Sequence, residues 1–216
     1  MKKRGIFILS AAVVLAAGLL CHHMLVQERE PEFVFSYAEN QTEDYPTTLG
    51  AKEFAKLVEK RSNGRIQILV QAEGALGTES DVIAQIQYGG IDFARVSLSQ
   101  LAEYIPELNV LQMPYLYTNS DHMWKVLDGE IGDAFLAATD ESELVGLSWY
   151  DAGARNFYNS KKPITCLEDM AGMRIRVQES EVMVDMVEAL GATALPIPYA
   201  DVYSALERGT VDGAEN

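Results

Sequence analysis

The chain has 216 residues, 48% of them hydrophobic, and a formal net charge of −15 at pH 7. That composition supplies a core of ordinary size, and the length fits one large domain or two small ones. The acidic balance excludes a nucleic-acid binder, which needs a basic face, and the acids are scattered as on a solvated surface.

Lys2, Lys3 and Arg4 precede an apolar run from Gly5 to Cys21. A positive flank followed by an apolar stretch is the grammar of an export signal, and the positive flank stays on the inner side. Residues 1–26 are therefore expected to direct the remainder out of the cytoplasm. Three endings stay open: cleavage, lipid attachment at Cys21, and retention as a membrane anchor, for which the run is long enough. The second cysteine, Cys166, has no partner beyond residue 26, so neither a disulfide framework nor a cysteine metal site follows. It is expected to be a small core hydrophobe.

After the connector at 27–31, residues 33–35 begin a strand that runs into a polar loop at 39–46. Thr47 or Thr48 is expected to cap the next helix, where Ala51, Phe54, Ala55, Leu57 and Val58 recur at helical spacing. Alternation at 65–70 reads as a half-buried strand. Thr78 or Ser80 caps a second helix with Val82, Ile83 and Ile86 on one side, and Gly89-Gly90 ends it before a short strand at 91–96. Residues 106–117 are apolar and interrupted by proline, and read as an irregular buried crossing. A helix is expected over 120–138 with a break near Gly129, then a strand at 144–150.

The remainder reads as a strand at 156–159, a turn at 161–163, a single helical turn at 168–170 and a strand at 173–177. A helix at 179–190, a strand at 193–195, a helix at 201–208 and a strand start at Val211 follow. Tyr203 is expected in the core beside Leu206. Residues 86–94 and 206–214 share one form: helix, glycine stop, β-branched residue, aspartate, small residue. Elements alternating at this length give an α/β class with largely parallel sheets, in two similar lobes.

Catalytic chemistry is poorly supplied. His22 and His23 fall in the targeting segment, and His122 reads as a surface residue. No nucleophile elbow, zinc-protease helix, CxxC pair or P-loop occurs, so an enzyme with no cofactor would rest on carboxylates that meet only after folding. Anion binding is better supplied. Arg176 ends an apolar strand, and ligands of open α/β sheets sit beyond the carboxyl ends of strands. A guanidinium there can hold a carboxylate through two parallel hydrogen bonds. Arg174 points to the opposite face and reads as an ordinary surface arginine.

Six ordered, correctly spaced segments carry a resemblance. They are FAKLVEKRSNGRIQI at 54–68, GALGTESDVIAQIQYGGIDFA at 74–94 and LNVLQMPYLYTNSDH at 108–122. GARNFYNSKKPIT at 153–165, LEDMAGMRIRV at 167–177 and GATALPIPYADVYSALERGTVDGAEN at 191–216 complete them. Together they resemble the solute-binding proteins of TRAP transporters, the DctP family. The resemblance implies a periplasmic-binding-protein-like two-lobed α/β fold of type II-like form, with 27–150 as the N-terminal lobe and 151–216 as a partial second lobe. Chains of that family continue beyond the D-G-x-E-N motif that closes at Asn216, so the chain is expected to be truncated at its C-terminus and its second lobe incomplete.

By the same resemblance, Arg176 grips a substrate carboxylate and Asn216 is a binding asparagine. Arg155 and Lys161 add basic contacts, with Lys162 able to take the place of Lys161. Tyr199 covers the ligand, Glu179 faces the cleft, and Glu39 and Asn40 are the contribution of the N-terminal lobe. The implied function is extracytoplasmic capture of a small organic acid for TRAP membrane permease subunits, with no cofactor, no nucleic acid and a membrane tether only through residues 1–26. A ligand-sensing module for a receptor, or an enzyme on the same fold, are the alternatives.

Overall fold

The computed structural model describes residues 30–216. The expected targeting segment, with Cys21, His22 and His23, lies outside the described residues. Two open sheets organise the rest. In the first, β1 (Phe33–Ala38) lies between β2 (Ile66–Gln71) and β3 (Phe93–Ala94), all parallel. In the second the order is β4 (Phe157–Asn159), β7 (Gly213–Glu215), β5 (Arg174–Val177) and β6 (Thr193–Pro196), with only β4 antiparallel to its neighbour.

Helices form where the apolar spacing requires them. Helix α1 (Pro46–Arg61) buries Ala51 against β1 and β2, where Phe35, Tyr37, Phe54 and Phe93 pack with ring centroids 5.8–6.5 Å apart. Helix α2 (Glu79–Gln87) starts on a capping box: Thr78 Oγ1 accepts from Asp81 N, and Asp81 returns the bond to Thr78 N. The short α3 (Leu98–Leu101) leads into a 3-10 helix (Pro106–Gln112), and these pack on α4 (Ser120–Leu127) and α5 (Glu130–Ala137) around Ile105, Leu108 and Leu111. Beneath the second sheet, α6 (Glu181–Ala189) sets Met183 and Val187 against Ile175 and Val177, all four at most 2% exposed. Helix α7 (Val202–Glu207) leads back into β7.

The repeated unit has the same role in both sheets. Gly89 (φ 72°) and Gly209 (φ 67°) end their helices in the left-handed region that glycine occupies at no steric cost. Asp92 then accepts from Ser36 N of β1 (2.8 Å), and Asp212 accepts from Arg174 N of β5 (3.0 Å). Each aspartate pins its strand parallel to the neighbour. Gly213 is needed for closeness instead: a Cβ there would lie 2.3 Å from the Tyr158 carbonyl oxygen of β4.

Five expectations are corrected. Residues 144–150 form no strand; Trp149 packs on the α4–α5 cluster, so the apolar pattern there reports contact with helices and no ladder. Helix α1 begins at Pro46, whose fixed φ suits a first helical position, and Thr47 and Thr48 fall inside it, buried rather than capping. Residues 106–117 are buried only through Leu108 and Leu111, whereas Met113, Tyr115 and Leu116 are exposed. Cys166 is exposed, because Met170 and Met173 fill the core beside it. Tyr203 is exposed too, since α7 turns Val202 and Ala205 inward.

Candidate functional site

Arg176 occupies the middle of the second sheet, in register with Leu195 of β6 and Ala214 of β7. Its side chain lies on the face opposite Ile175 and Val177, and the residue is still only 2% exposed. Its Nε donates to the carbonyl of Ile197 (2.8 Å), just beyond β6. Among the described residues nothing accepts from Nη1 or Nη2, and no carboxylate pairs with the group. Burial lowers its pKa, the Glu215 charge opposes that, and the nearby Arg155 charge adds to it. A buried guanidinium without a counter-ion costs several kcal/mol, and its two Nη groups have the geometry that can donate to a carboxylate in parallel.

Arg155, just before β4, is held beside it. Its Nε donates to Glu215 Oε2 (2.5 Å) and its Nη2 to the Glu215 carbonyl (3.3 Å). Glu215 is buried and its other oxygen faces Gln178 N (3.4 Å). Glu215 thus pairs with Arg155 alone, and the Arg176 charge has no carboxylate partner among the described residues. Asn216 extends the β4–β7 ladder by two backbone bonds to Asn156 (2.7 and 3.0 Å), which puts its exposed side chain one residue past Glu215. Tyr199 follows Ile197 by two residues and keeps an exposed ring. Glu179 is half-buried two residues beyond the end of β5.

The loop after β1 carries Glu39 and Asn40. Glu39 is buried and its carboxylate is already engaged: Asn40 N, Gln41 N and the Arg95 guanidinium all donate to it. Asn40 Oδ1 accepts from the same arginine. Arg95 also reaches Glu79 (3.4 Å) at the start of α2, and Glu79 takes bonds from Ser97 N (2.7 Å) and Ser97 Oγ (2.9 Å). A bond from Ser99 Oγ to Gln178 Oε1 (2.8 Å) brings this end of the first sheet against the strand that bears Arg176, and the Glu79 charge weakly opposes the burial that lowers the pKa of Arg176. Tyr45 Oη to the Ala152 carbonyl (3.1 Å) and Glu181 N to Glu103 Oε1 (3.2 Å) make further ties.

Arg176, Arg155, Tyr199, Glu179 and Asn216 therefore gather around the carboxyl ends of β5 and β7, with Glu39 and Asn40 at the carboxyl end of β1. Lys161 is not brought there. Its Nζ pairs with Asp212 (3.3 Å), which also holds Arg174 (2.9 Å), at the opposite end of the same strands; Lys162 pairs with Asp169 (3.4 Å). Arg95, Glu79, Glu215 and Gln178 escaped the sequence reading. The repeat held a signal for two of them: one residue further on, Arg95 stands in the first copy where Glu215 stands in the second. Among the described residues no group of three or more His, Cys, Asp or Glu is placed to hold a metal, and no helix is long and apolar enough to cross a membrane.

Residues 37–216 match the model of the family described as bacterial extracellular solute-binding protein, family 7. A solute-binding protein of Chromohalobacter salexigens is 36% identical over 172 residues, which are 80% of this chain and 51% of that one. Among solved structures, a TRAP periplasmic solute-binding protein of Xanthobacter autotrophicus with bound β-D-galacturonate is 42% identical, with a TM-score of 0.82 over 84% of this chain and 61% of that one. A TRAP periplasmic solute-binding protein of Sulfurospirillum deleyianum with bound succinate is 32% identical, with a TM-score of 0.83 over 86% of this chain and 60% of that one. The chain spans about half the length of the curated relatives it matches.

Proposed function

The chain belongs to family 7 of the bacterial extracellular solute-binding proteins, and from that membership we propose that the whole protein captures a small organic acid outside the cytoplasm and delivers it to the membrane subunits of a TRAP-type transporter. One observation carries the reading: Arg176 is buried with one nitrogen bonded and the two Nη groups without partners among the described residues. A carboxylate laid across those groups would restore the missing counter-ion and accept two charge-assisted hydrogen bonds. Galacturonate and succinate, named with the relatives, both present such a group.

In this reading 27–150 and 151–216 supply the two walls of the cleft. The Ile197 carbonyl holds Arg176 in place, Arg155 occupies Glu215, Tyr199 covers the ligand, and Asn216 is a hydrogen-bonding partner at the rim. Closure of the walls expels water and strengthens the ion pair. No bond of the solute is made or broken; the family is one of binding proteins. Residues 1–26 serve as the export signal, and the mass of the exported protein distinguishes a cleaved segment from a lipidated or retained tether.

The test is a thermal-shift titration of the full-length protein with a panel of organic acids, because a ligand that binds only the native state raises the melting temperature. At least one carboxylate should stabilise the wild type and leave Arg176→Gln unmoved. Failure of every carboxylate, or an equal shift in Arg176→Gln, overturns the reading.

A further inference from the structure

The crossing from the first wall to the second is gripped on the first wall by two neighbouring rings. Trp149 packs on the α4–α5 cluster, and Tyr150 packs instead on α1. There its ring lies flush on Gly50: a Cβ at that position would come 2.6 Å from Tyr150 Cε1 and 3.4 Å from Tyr150 Oη. Glycine is a poor choice for a helix interior, and its place in α1 is accounted for by the ring it admits. Tyr37, buried at the end of β1, has its pKa raised chiefly by burial and further by the neighbouring Tyr150. Two residues on, the Ala152 carbonyl accepts from Tyr45 Oη (3.1 Å) at the start of α1. The second wall takes hold at Arg155, which is bonded to Glu215, and at Asn156, whose backbone pairs with Asn216. Between these holds lie Gly153 and Ala154. Gly153 stands at φ 95°, and nothing lies within 4 Å of the point where a Cβ would sit. Glycine takes that conformation without strain, and the space around it is open enough for the chain to turn.

We infer that Tyr150 is a positioning residue of the binding site: seated on Gly50, it carries the first wall on to residue 152 and confines the rotation of the walls to Gly153 and Ala154. The inference rests on the function proposed for Arg176 and adds to it the pivot on which the walls meet. Tyr150 acts on the ligand through that pivot and not by contact. A short pivot leaves the walls few relative orientations, so little freedom is lost when they close on a carboxylate. With the ring unseated, residues 150–152 join the pivot. Each residue that must then be ordered on closing weakens binding by about tenfold.

The experiment is isothermal calorimetry on the full-length protein with galacturonate, succinate and the other acids of the panel, the tightest being carried into the variants. Gly50→Ala puts a methyl group where the ring sits, and Tyr150→Ala removes the ring. Each is expected to weaken binding about tenfold or more. The two combined should bind no more weakly than Tyr150→Ala alone, because without the ring the seat no longer matters. Tyr150→Phe keeps the ring and should stay within about threefold of the wild type, since only a hydroxyl bond is lost. In the ligand-free protein the Gly153 amide, which donates to Asp151 Oδ1 (2.7 Å), should exchange its hydrogen faster in Gly50→Ala, with the amides of β5 unchanged. A general loss of stability would speed both. Additive losses in the double variant, unchanged affinity in both single variants, or equal exchange at Gly153 overturns this inference and leaves the Arg176 reading standing. If Gly50→Ala fails to fold, equal affinity of Tyr150→Ala and Tyr150→Phe overturns it. A wild type that binds no acid of the panel overturns both.

Discussion

Two buried arginines lie toward the carboxyl ends of strands in the two sheets, Arg95 just past β3 and Arg176 within β5, and their environments are opposite. Arg95 on the first sheet is shared by Glu39 and Glu79 and has almost every donor engaged. Arg176 on the second has one backbone acceptor, and the one buried glutamate nearby is bonded to Arg155 instead. The contrast separates two uses of the same costly group. A guanidinium whose carboxylates are inside the fold holds the fold together; in the proposed function, one without an internal carboxylate holds a ligand. Removing the first should damage stability and removing the second should damage binding.

The sharpest way to break that contrast is Arg176→Gln. Two charge-assisted hydrogen bonds of about 1.5–3 kcal/mol each predict a loss of affinity of about 100-fold or more by calorimetry. The ligand-free melting temperature should hold or rise, because a desolvated, unpaired charge is gone. A marked fall would assign Arg176 to the fold and void the contrast. Arg95→Met is the converse. It leaves two buried carboxylates unpaired and is expected to cost about 3–5 kcal/mol in urea unfolding, a drop of roughly 10 °C in melting temperature.

A smaller effect is expected at Asp212, at the far end of the second sheet. Hydrogen bonds from the Arg174 side chain and backbone hold its carboxyl well below the usual range, with Lys161 adding to this. A depressed carboxyl contributes stability that is present above its unfolded value and is lost as pH falls toward the folded one. Melting of the wild type should therefore fall more steeply below about pH 4 than that of Asp212→Asn. Equal slopes would show that this pair does not matter to the sheet. The smallest effect is Cys166→Ser, within about 0.5 kcal/mol by urea titration, since an exposed cysteine has no core to vacate. The same exposure predicts full labelling by a thiol reagent before unfolding.

Legibility followed the range of the interactions. The strand bearing Arg176, the caps at Thr78 and the glycine stops at Gly89 and Gly209 were readable, because each depends on a few adjacent residues. The role of Arg95 was not. Its partners Glu39 and Glu79 are 56 and 16 residues away, and nothing within FARVSLS marks one arginine as buried. Lys161 was misplaced for the converse reason: nearness to Arg155 in sequence said nothing about which end of the sheet its ammonium reaches. The strand expected at 144–150 failed because half-burial against a helix and half-burial in a ladder produce the same alternation.

By itself the sequence determined the α/β class, the repeated helix–glycine–strand unit and the placing of Arg176 at a strand's carboxyl end. All three follow from side-chain period, backbone conformational preference and short-range hydrogen bonding. Only the tertiary structure decided which charges cancel. Charge pairing depends on distances through space between residues that the chain separates widely, and it is the pairing that gives Arg95 two carboxylates and leaves Arg176 with none among the described residues.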